Sequence, residues 1–126
     1  MKTILIVLCV MAGSALAEGQ KVTTLMSKDL PDYPGKEATM LTVDYAPGAS
    51  GAIHRHNADA FVYVLAGSVV MQVRDQKPVT LTAGESFYEA PGDIHVIDRN
   101  ASATQPARIL VVLFKDKNAP VLIPAK

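Results

Sequence analysis

The stretch that decides the fold is residues 48–67, which read GASGAIHRHNADAFVYVLAG. Its second half, residues 61–66, is an unbroken run of aromatic, β-branched and aliphatic residues, the types that favour strands. The run ends at Gly67, and a second apolar run follows at residues 69–73. Two short apolar runs separated by a glycine predict two strands joined by a tight turn.

The first half of the same stretch carries His54 and His56, separated by Arg55. On a strand, residues two apart point to the same side and lie about 6.6 Å apart along the backbone. Two imidazoles at that spacing can converge on one metal ion. Arg55 must then face the other way, where its charge does not repel the ion.

Working outward from this stretch, proline and glycine interrupt the chain so often that few intervals could hold a core helix. The intervals have strand character instead. Residues 39–45 alternate, with Leu41, Val43 and Tyr45 on one face. Further strands are predicted at residues 79–82, 86–89, 95–98 and 108–114. Many short strands separated by turns indicate an all-β sandwich or barrel.

The 126 residues, 49% of them hydrophobic, suffice for one domain. Residues 1–17 carry one positive charge, an apolar run and a small-residue site ending at Ala17, the features of a secretory signal peptide. We therefore expect export to the periplasm or beyond, with cleavage after Ala17 and residues 18–126 as the mature domain. Cys9, the only cysteine, lies within the signal, so disulfides contribute nothing to the mature protein.

The charges of the chain are balanced. Lys2 is one of 12 basic residues, so 11 remain after cleavage against 12 acidic residues. This balance gives no electrostatic reason to expect nucleic acid or, after signal cleavage, a membrane as partner. The chain also contains no Gly-x-Ser-x-Gly nucleophile turn, no Gly-x-Gly-x-x-Gly and no phosphate loop.

At two places the spacing of glycines and histidines resembles the paired motifs of the cupin superfamily. The matching residues are Gly48, His54, His56 and Gly67 in the first motif, and Gly84, Gly92 and His95 in the second. The resemblance implies an antiparallel jelly-roll barrel, here of six to eight strands with its core at about residues 38–115. It also implies a divalent transition metal near the mouth of the barrel.

The ligands that the resemblance implies are His54, His56 and His95, which are the only histidines in the chain, together with a glutamate four residues after the second histidine. That position is Ala60. Glu89 and Gln72 are the candidate substitutes, and Asp59 ranks behind them because strand alternation points it away. The alternative is that the histidines are ordinary polar residues of a cupin that has lost its metal. Imidazole ligands without a thiolate suit several metals, of which iron and zinc are favoured.

Without the glutamate, three neutral imidazoles leave a divalent ion its full charge, so the ion becomes a stronger Lewis acid with open positions. Such an ion can bind an anionic or chelating small molecule directly, and oxygenase-type chemistry is one interpretation. Tyr63, Tyr88 and Glu89 are the candidates for acid and base catalysis. The rival interpretations are a non-catalytic ligand-binding or sensing module, and a dimeric interaction protein with a structural or lost metal.

Residues 61–66 and 109–114 are apolar on both faces. One face should pack into the barrel, and we expect the other to form a homodimer interface. The alternative is that residues 22–26 or 121–123 fold back over it. Residues 115–126 are predicted to be an extended arm.

Overall fold

Strands, turns and loops make up all of residues 19–126, the part of the chain that the computed structural model describes. The ten strands are β1 Gln20–Asp29, β2 Lys36–Tyr45, β3 His54–Arg55, β4 Ala58–Ala66, β5 Ser68–Val73, β6 Val79–Thr82, β7 Ser86–Glu89, β8 Ile94–Asn100, β9 Ala107–Asp116 and β10 Ile123–Pro124. The all-β prediction is confirmed. The predicted six to eight strands are too few, because β1, β3 and β10 add to them.

The strands form two five-stranded antiparallel sheets. The first has the order β1-β2-β9-β4-β7, and the second has the order β10-β3-β8-β5-β6. Alternation along β9 shows where the core lies, because Ile109, Val111 and Leu113 are buried while the residues between them face outward. Each such side chain stabilises the fold by about 1.5–3 kcal/mol through burial.

The tight turn predicted at Gly67 lies between β4 and β5, which belong to different sheets. The chain therefore crosses from one sheet to the other here and does not form a hairpin. Gly67 has a φ of 70°, and a Cβ at this position would lie 2.4 Å from the carbonyl oxygen of Pro106. Only glycine meets both constraints, so this crossing depends on Gly67.

The two sheets extend beyond residues 38–115 at both ends. Residues 22–26 lie within β1, at the edge of the first sheet. The arm after β9 folds back, so that Ile123 pairs with Arg55 and Pro124 with His54. Neither segment covers the outer face of β4 and β9, which was the alternative to a dimer interface.

The outer face of the first sheet carries a row of directly paired side chains across all five strands, namely Met26, Met40, Val112, Phe61 and Tyr88. Phe61 retains 50% of its exposure and Tyr88 48%. Phe61 also contacts the ring of Phe114 edge-on, at a centroid distance of 5.8 Å. We call this row together with Phe114 the outer apolar face.

Residues 1–17, with the expected signal peptide and its cleavage site, lie outside the described residues. Within residues 19–126 there is no helix with the length and hydropathy needed to cross a membrane.

Candidate metal centre

The three histidines meet inside the barrel. His54 on β3 pairs directly with His95 on β8, and their ring centroids lie 5.1 Å apart. His56 follows two residues later, with its ring centroid 4.9 Å from that of His54. All three side chains are buried, while Arg55 between the first two is exposed. The convergence and the outward orientation of Arg55 are as the His-x-His spacing predicts.

Backbone carbonyl groups fix the orientation of two of the rings. His54 Nδ1 lies 2.8 Å from the Ala52 carbonyl oxygen, and His56 Nδ1 lies 2.5 Å from that of Val121. A carbonyl oxygen only accepts, so each Nδ1 must carry the proton and donate it. In the neutral form of each ring Nε2 is then unprotonated, which is the tautomer that binds a metal ion through Nε2.

Glu89 is the carboxylate nearest to the histidines, and its side chain is buried. It stands on β7 directly opposite Ala60 on β4, in the register of the first sheet. Opposite residues on antiparallel strands point to the same face, with Cβ atoms about 4.5–5.5 Å apart. Glu89 therefore places its carboxylate, from the adjacent strand, close to where the side chain of a glutamate at position 60 would lie.

The charges of the cluster depend on one another. Burial opposes ionisation of Glu89, but the neighbouring histidines, above all His95, outweigh it and lower the pKa of Glu89. Burial likewise opposes a charge on His95, yet the adjacent carboxylate raises the pKa of His95. Burial lowers the pKa of His54, which favours its neutral form.

One unsatisfied polar atom marks the centre of the cluster. Glu89 Oε1 lies 2.7 Å from His95 Nδ1, so these two buried groups form a close ion pair. The other ring nitrogen, His95 Nε2, is buried without a hydrogen-bond partner among the described residues. Such an atom is costly unless a partner satisfies it. Imidazole nitrogens and carboxylate oxygens are the atom types that bind a transition metal ion.

The other candidate residues lie elsewhere. Gln72 is directed away from the cluster and donates from Nε2 to the Gln76 carbonyl oxygen. Asp59 lies on the outer face and accepts a hydrogen bond from the Tyr88 hydroxyl, as strand alternation predicts. Tyr63 and Tyr88 are both about half exposed on that same face. Neither tyrosine can therefore contact a molecule held at the histidines, and of the catalytic candidates only Glu89 lies at the site.

Sequence reasoning missed a second carboxylate, Asp98. It is three residues after His95, so regular alternation would place the two on opposite faces. In β8, however, His95 pairs with Val73 and Ile97 pairs with Gln72, which inserts one extra residue into the strand. This bulge turns Asp98 to the side of His95. Ligand atoms of His54, His95 and Asp98 lie within 4.8 Å of one another, as do those of His54, His56 and Glu89.

A cavity of about 70 Å³ adjoins the histidines. Apolar side chains from both sheets form most of its wall, among them Leu41, Val62, Met71 and Val111. The polar lining beyond the histidines consists of Glu89, Asp98, Tyr45 and Gln20, and residues 121, 122 and 124 of the returning arm close one side. A cavity of this size has room for a few water molecules or a small organic molecule.

Two antiparallel sheets that enclose a buried histidine cluster define the class of small double-stranded β-helix proteins with a candidate metal centre. The chain belongs to the cupin domain family, whose family model matches residues 41–113. That match includes all three histidines, Glu89 and Asp98, and it confirms the resemblance found in the motifs.

Solved structures with this fold include one of oxalate oxidase in complex with glycolate, with 26% identity and a TM-score of 0.66. An uncharacterised protein with a double-stranded β-helix domain from Klebsiella pneumoniae has 18% identity and also a TM-score of 0.66, with 86% of each chain covered. The DMSP lyase DddQ from Ruegeria pomeroyi has 19% identity and a TM-score of 0.61.

The match covers 90% of this chain but 59% of the oxalate oxidase chain, and 70% of this chain but 43% of the lyase chain. The chain thus spans only about half the length of these two enzymes. No curated protein is similar enough in sequence to count as a relative.

Proposed function

We propose that this protein binds one divalent transition metal ion through His54, His56, His95 and Glu89, and that a small molecule binds beside the ion. The observation that carries the proposal is His95 Nε2, a buried ring nitrogen that has no hydrogen-bond partner among residues 19–126 and lies in a cluster with the other two histidines. A bound ion would satisfy this nitrogen.

Distances around Glu89 support its place as the fourth ligand. Glu89 Oε2 lies 3.7 Å from His56 Nε2. Two ligands that share a tetrahedral zinc ion, each about 2.1 Å from it, lie about 3.4 Å apart. Only a small shift would bring both atoms onto one ion. In this arrangement Glu89 supplies the carboxylate that the motif places at position 60, where this chain has alanine. The ion and the carboxylate together then carry a charge of about +1.

A bound ion would polarise an oxygen atom of a small molecule as a Lewis acid. The protein's own residues contribute a mostly apolar cavity and, beside the ion, the carboxylate of Asp98, which can accept a proton. Solved relatives of this fold include the oxalate oxidase, bound to glycolate, and the DMSP lyase. Both names indicate small-molecule chemistry, and we extend that class to this chain, with iron or zinc as the ion.

A non-catalytic binding or sensing role is the second candidate function. It is favoured by the position of Tyr63 and Tyr88, which are directed out of the barrel and leave the site with only carboxylates for proton transfer. Iron in the purified protein would favour the oxygenase-type candidate, whereas zinc fits lyase, hydrolytic and structural roles alike.

We further propose that the protein is exported, since residues 1–17 have the pattern of a signal peptide, and that it forms a homodimer through the outer apolar face. Export would allow the site to fill from metal outside the cytoplasm. Cell fractionation of the 126-residue chain tests export, and analytical ultracentrifugation tests the dimer.

The metal proposal is tested by comparing purified wild-type protein with His54→Ala and Arg55→Ala. Arg55 is the matched control, because it adjoins both ligands but is exposed. We expect one ion per chain in the wild type and in Arg55→Ala, and at least about a tenfold loss of affinity in His54→Ala. Wild-type protein that binds no stoichiometric iron, zinc, cobalt or nickel would overturn the proposal.

A further inference from the structure

Two groups of polar residues line the cavity. One is His54, His56, His95 and Glu89, and the other is Asp98 with Tyr45 and Gln20. A carboxylate oxygen of Asp98 also lies within 4.8 Å of ligand atoms of His54 and His95. Tyr45 is almost fully buried and donates its hydroxyl to Asp98 Oδ1, and Gln20 Nε2 donates to Asp98 Oδ2 at 3.3 Å. Burial, followed by the charge of Asp98, raises the pKa of Tyr45 well above its ordinary value, so the hydroxyl keeps its proton.

The position of Asp98 is fixed by the backbone. The amide of Gly51 donates to the Asp98 carbonyl oxygen at 2.6 Å, and a Cβ on Gly51 would lie 2.7 Å from Asp98 Oδ2. The carboxylate therefore lies against a glycine that leaves room for it. Each carboxylate oxygen can accept about two hydrogen bonds. Tyr45 and Gln20 supply one apiece, so acceptor capacity remains for a ligand in the cavity.

The charges that line the cavity are unusual for a site that would hold an anion. Two carboxylates and three histidines line it, and among residues 19–126 no lysine or arginine does. With a divalent ion bound, the histidines are neutral, so with both carboxylates ionised the net charge of the site is zero. A dicarboxylate would bring it to −2 in a buried setting, where unbalanced charge is costly. A donor such as a hydroxyl or ammonium group would instead complete the hydrogen bonds of Asp98.

From this arrangement we propose that the cavity selects a neutral or cationic small molecule with a hydroxyl or amino group, which Asp98 binds, and that it disfavours dicarboxylates and other small acids. This deepens the proposed function and rests on it only for the charge of the ion. The sequence favoured an anionic ligand, because it predicted an ion held by three neutral histidines alone. The structure adds the negative charges of Glu89 and Asp98, so a neutral or cationic ligand is favoured instead.

The test compares ligands that match the size of the cavity: ethanolamine as the cationic donor, ethylene glycol as the neutral donor, and glycolate and oxalate as the acids. Binding is followed by amide chemical shifts of Tyr45, Gly51 and Asp98, in protein without metal and in protein loaded with zinc. We expect ethanolamine to bind at least about tenfold more tightly than glycolate in both forms, equivalent to 1.4 kcal/mol. In Asp98→Asn that preference should shrink several-fold, whereas Asp59→Asn on the outer face should retain it.

Tighter binding of glycolate or oxalate than of ethanolamine would overturn the inference, as would an unchanged preference in Asp98→Asn. The wild-type comparison needs no variant, so it decides the question even if Asp98→Asn does not fold. Ethanolamine binding in a protein that takes up no metal would support the inference while refuting the proposed function. Stoichiometric zinc with a preference for acids would refute the inference alone.

Discussion

Ala60 and Glu89 lie opposite each other in the first sheet, and our proposal gives Glu89 the role of the glutamate whose motif position Ala60 occupies. Ala60 is fully buried, and the strand opposite supplies the carboxylate at the same level. A carboxylate on either strand can reach the same group of histidines, because opposite side chains share a face. The two positions are therefore interchangeable in principle, which a pair of substitutions can test.

We expect Glu89→Ala to lower metal affinity by at least about tenfold, because even a residue that only hydrogen-bonds a ligand contributes about 10–100-fold. Ala60→Glu placed on that background should restore part of the loss, since it returns a carboxylate to the same pocket. Calorimetric titration with zinc measures both effects. Asp59→Ala, which removes a neighbouring carboxylate on the outer face, should leave affinity unchanged.

Wild-type affinity in Glu89→Ala would show that Glu89 is not a ligand. Failure of Ala60→Glu to restore any affinity would show instead that the geometry of β4 no longer suits a carboxylate.

At the scale of the element, the returning arm links residues 117–126 to the candidate metal centre. Lys115, almost fully buried at the end of β9, donates to Glu37 Oε1 at 2.5 Å and to the Ala119 carbonyl oxygen at 2.7 Å. These bonds hold the turn after β9. Beyond it, Val121 accepts the Nδ1 proton of His56, and β10 pairs with β3 beside His54. The arm thereby orients the ring of His56 and supports the strand that carries His54.

Removal of residues 120–126 should therefore weaken metal binding by about 10–100-fold, because His56 loses the carbonyl that fixes its ring. The barrel should remain folded, since the arm contributes only one two-residue strand. Zinc titration and circular dichroism measure the two effects. Removal of Lys126 alone is the control, because it leaves Val121 and β10 intact. Equal affinity in the longer deletion would contradict the role given to the arm.

At the scale of the whole molecule, the outer apolar face is the feature that the monomer leaves unexplained. It is a continuous row over five strands, and neither β1 nor the returning arm covers it. Exposed apolar surface of this kind is typical of an interface, and a second copy of the chain offers the same surface for a symmetric contact.

The wild-type protein should accordingly be a dimer, and Phe61→Glu should weaken the dimer by at least about tenfold because a charge at the centre of an apolar interface has no partner. Analytical ultracentrifugation over a wide concentration range measures this. Val79→Glu, which changes an exposed apolar residue on the second sheet, is the control and should remain dimeric. A wild-type protein that is monomeric throughout that range would exclude the interface.

Local pattern in the sequence was sufficient for the fold class, for most of the strands and for the three histidines. The alternation of apolar and polar residues, the glycines at turns and the spacing of the two motifs can all be recognised in short segments of sequence. The missed strands have a physical reason: β1 is a mostly exposed edge strand with little alternation, and β3 and β10 are two residues each. Strands of that kind leave almost no hydrophobic pattern.

Only the tertiary structure decided what else reaches the histidines. Glu89 became the nearest carboxylate through the register between β4 and β7, and Asp98 turned inward through one extra residue in β8. Val121 reached His56 across 65 positions of the chain. Register, bulges and chain return are set by long-range packing, so the sequence determined which residues could bind a metal, and the fold decided which of them meet.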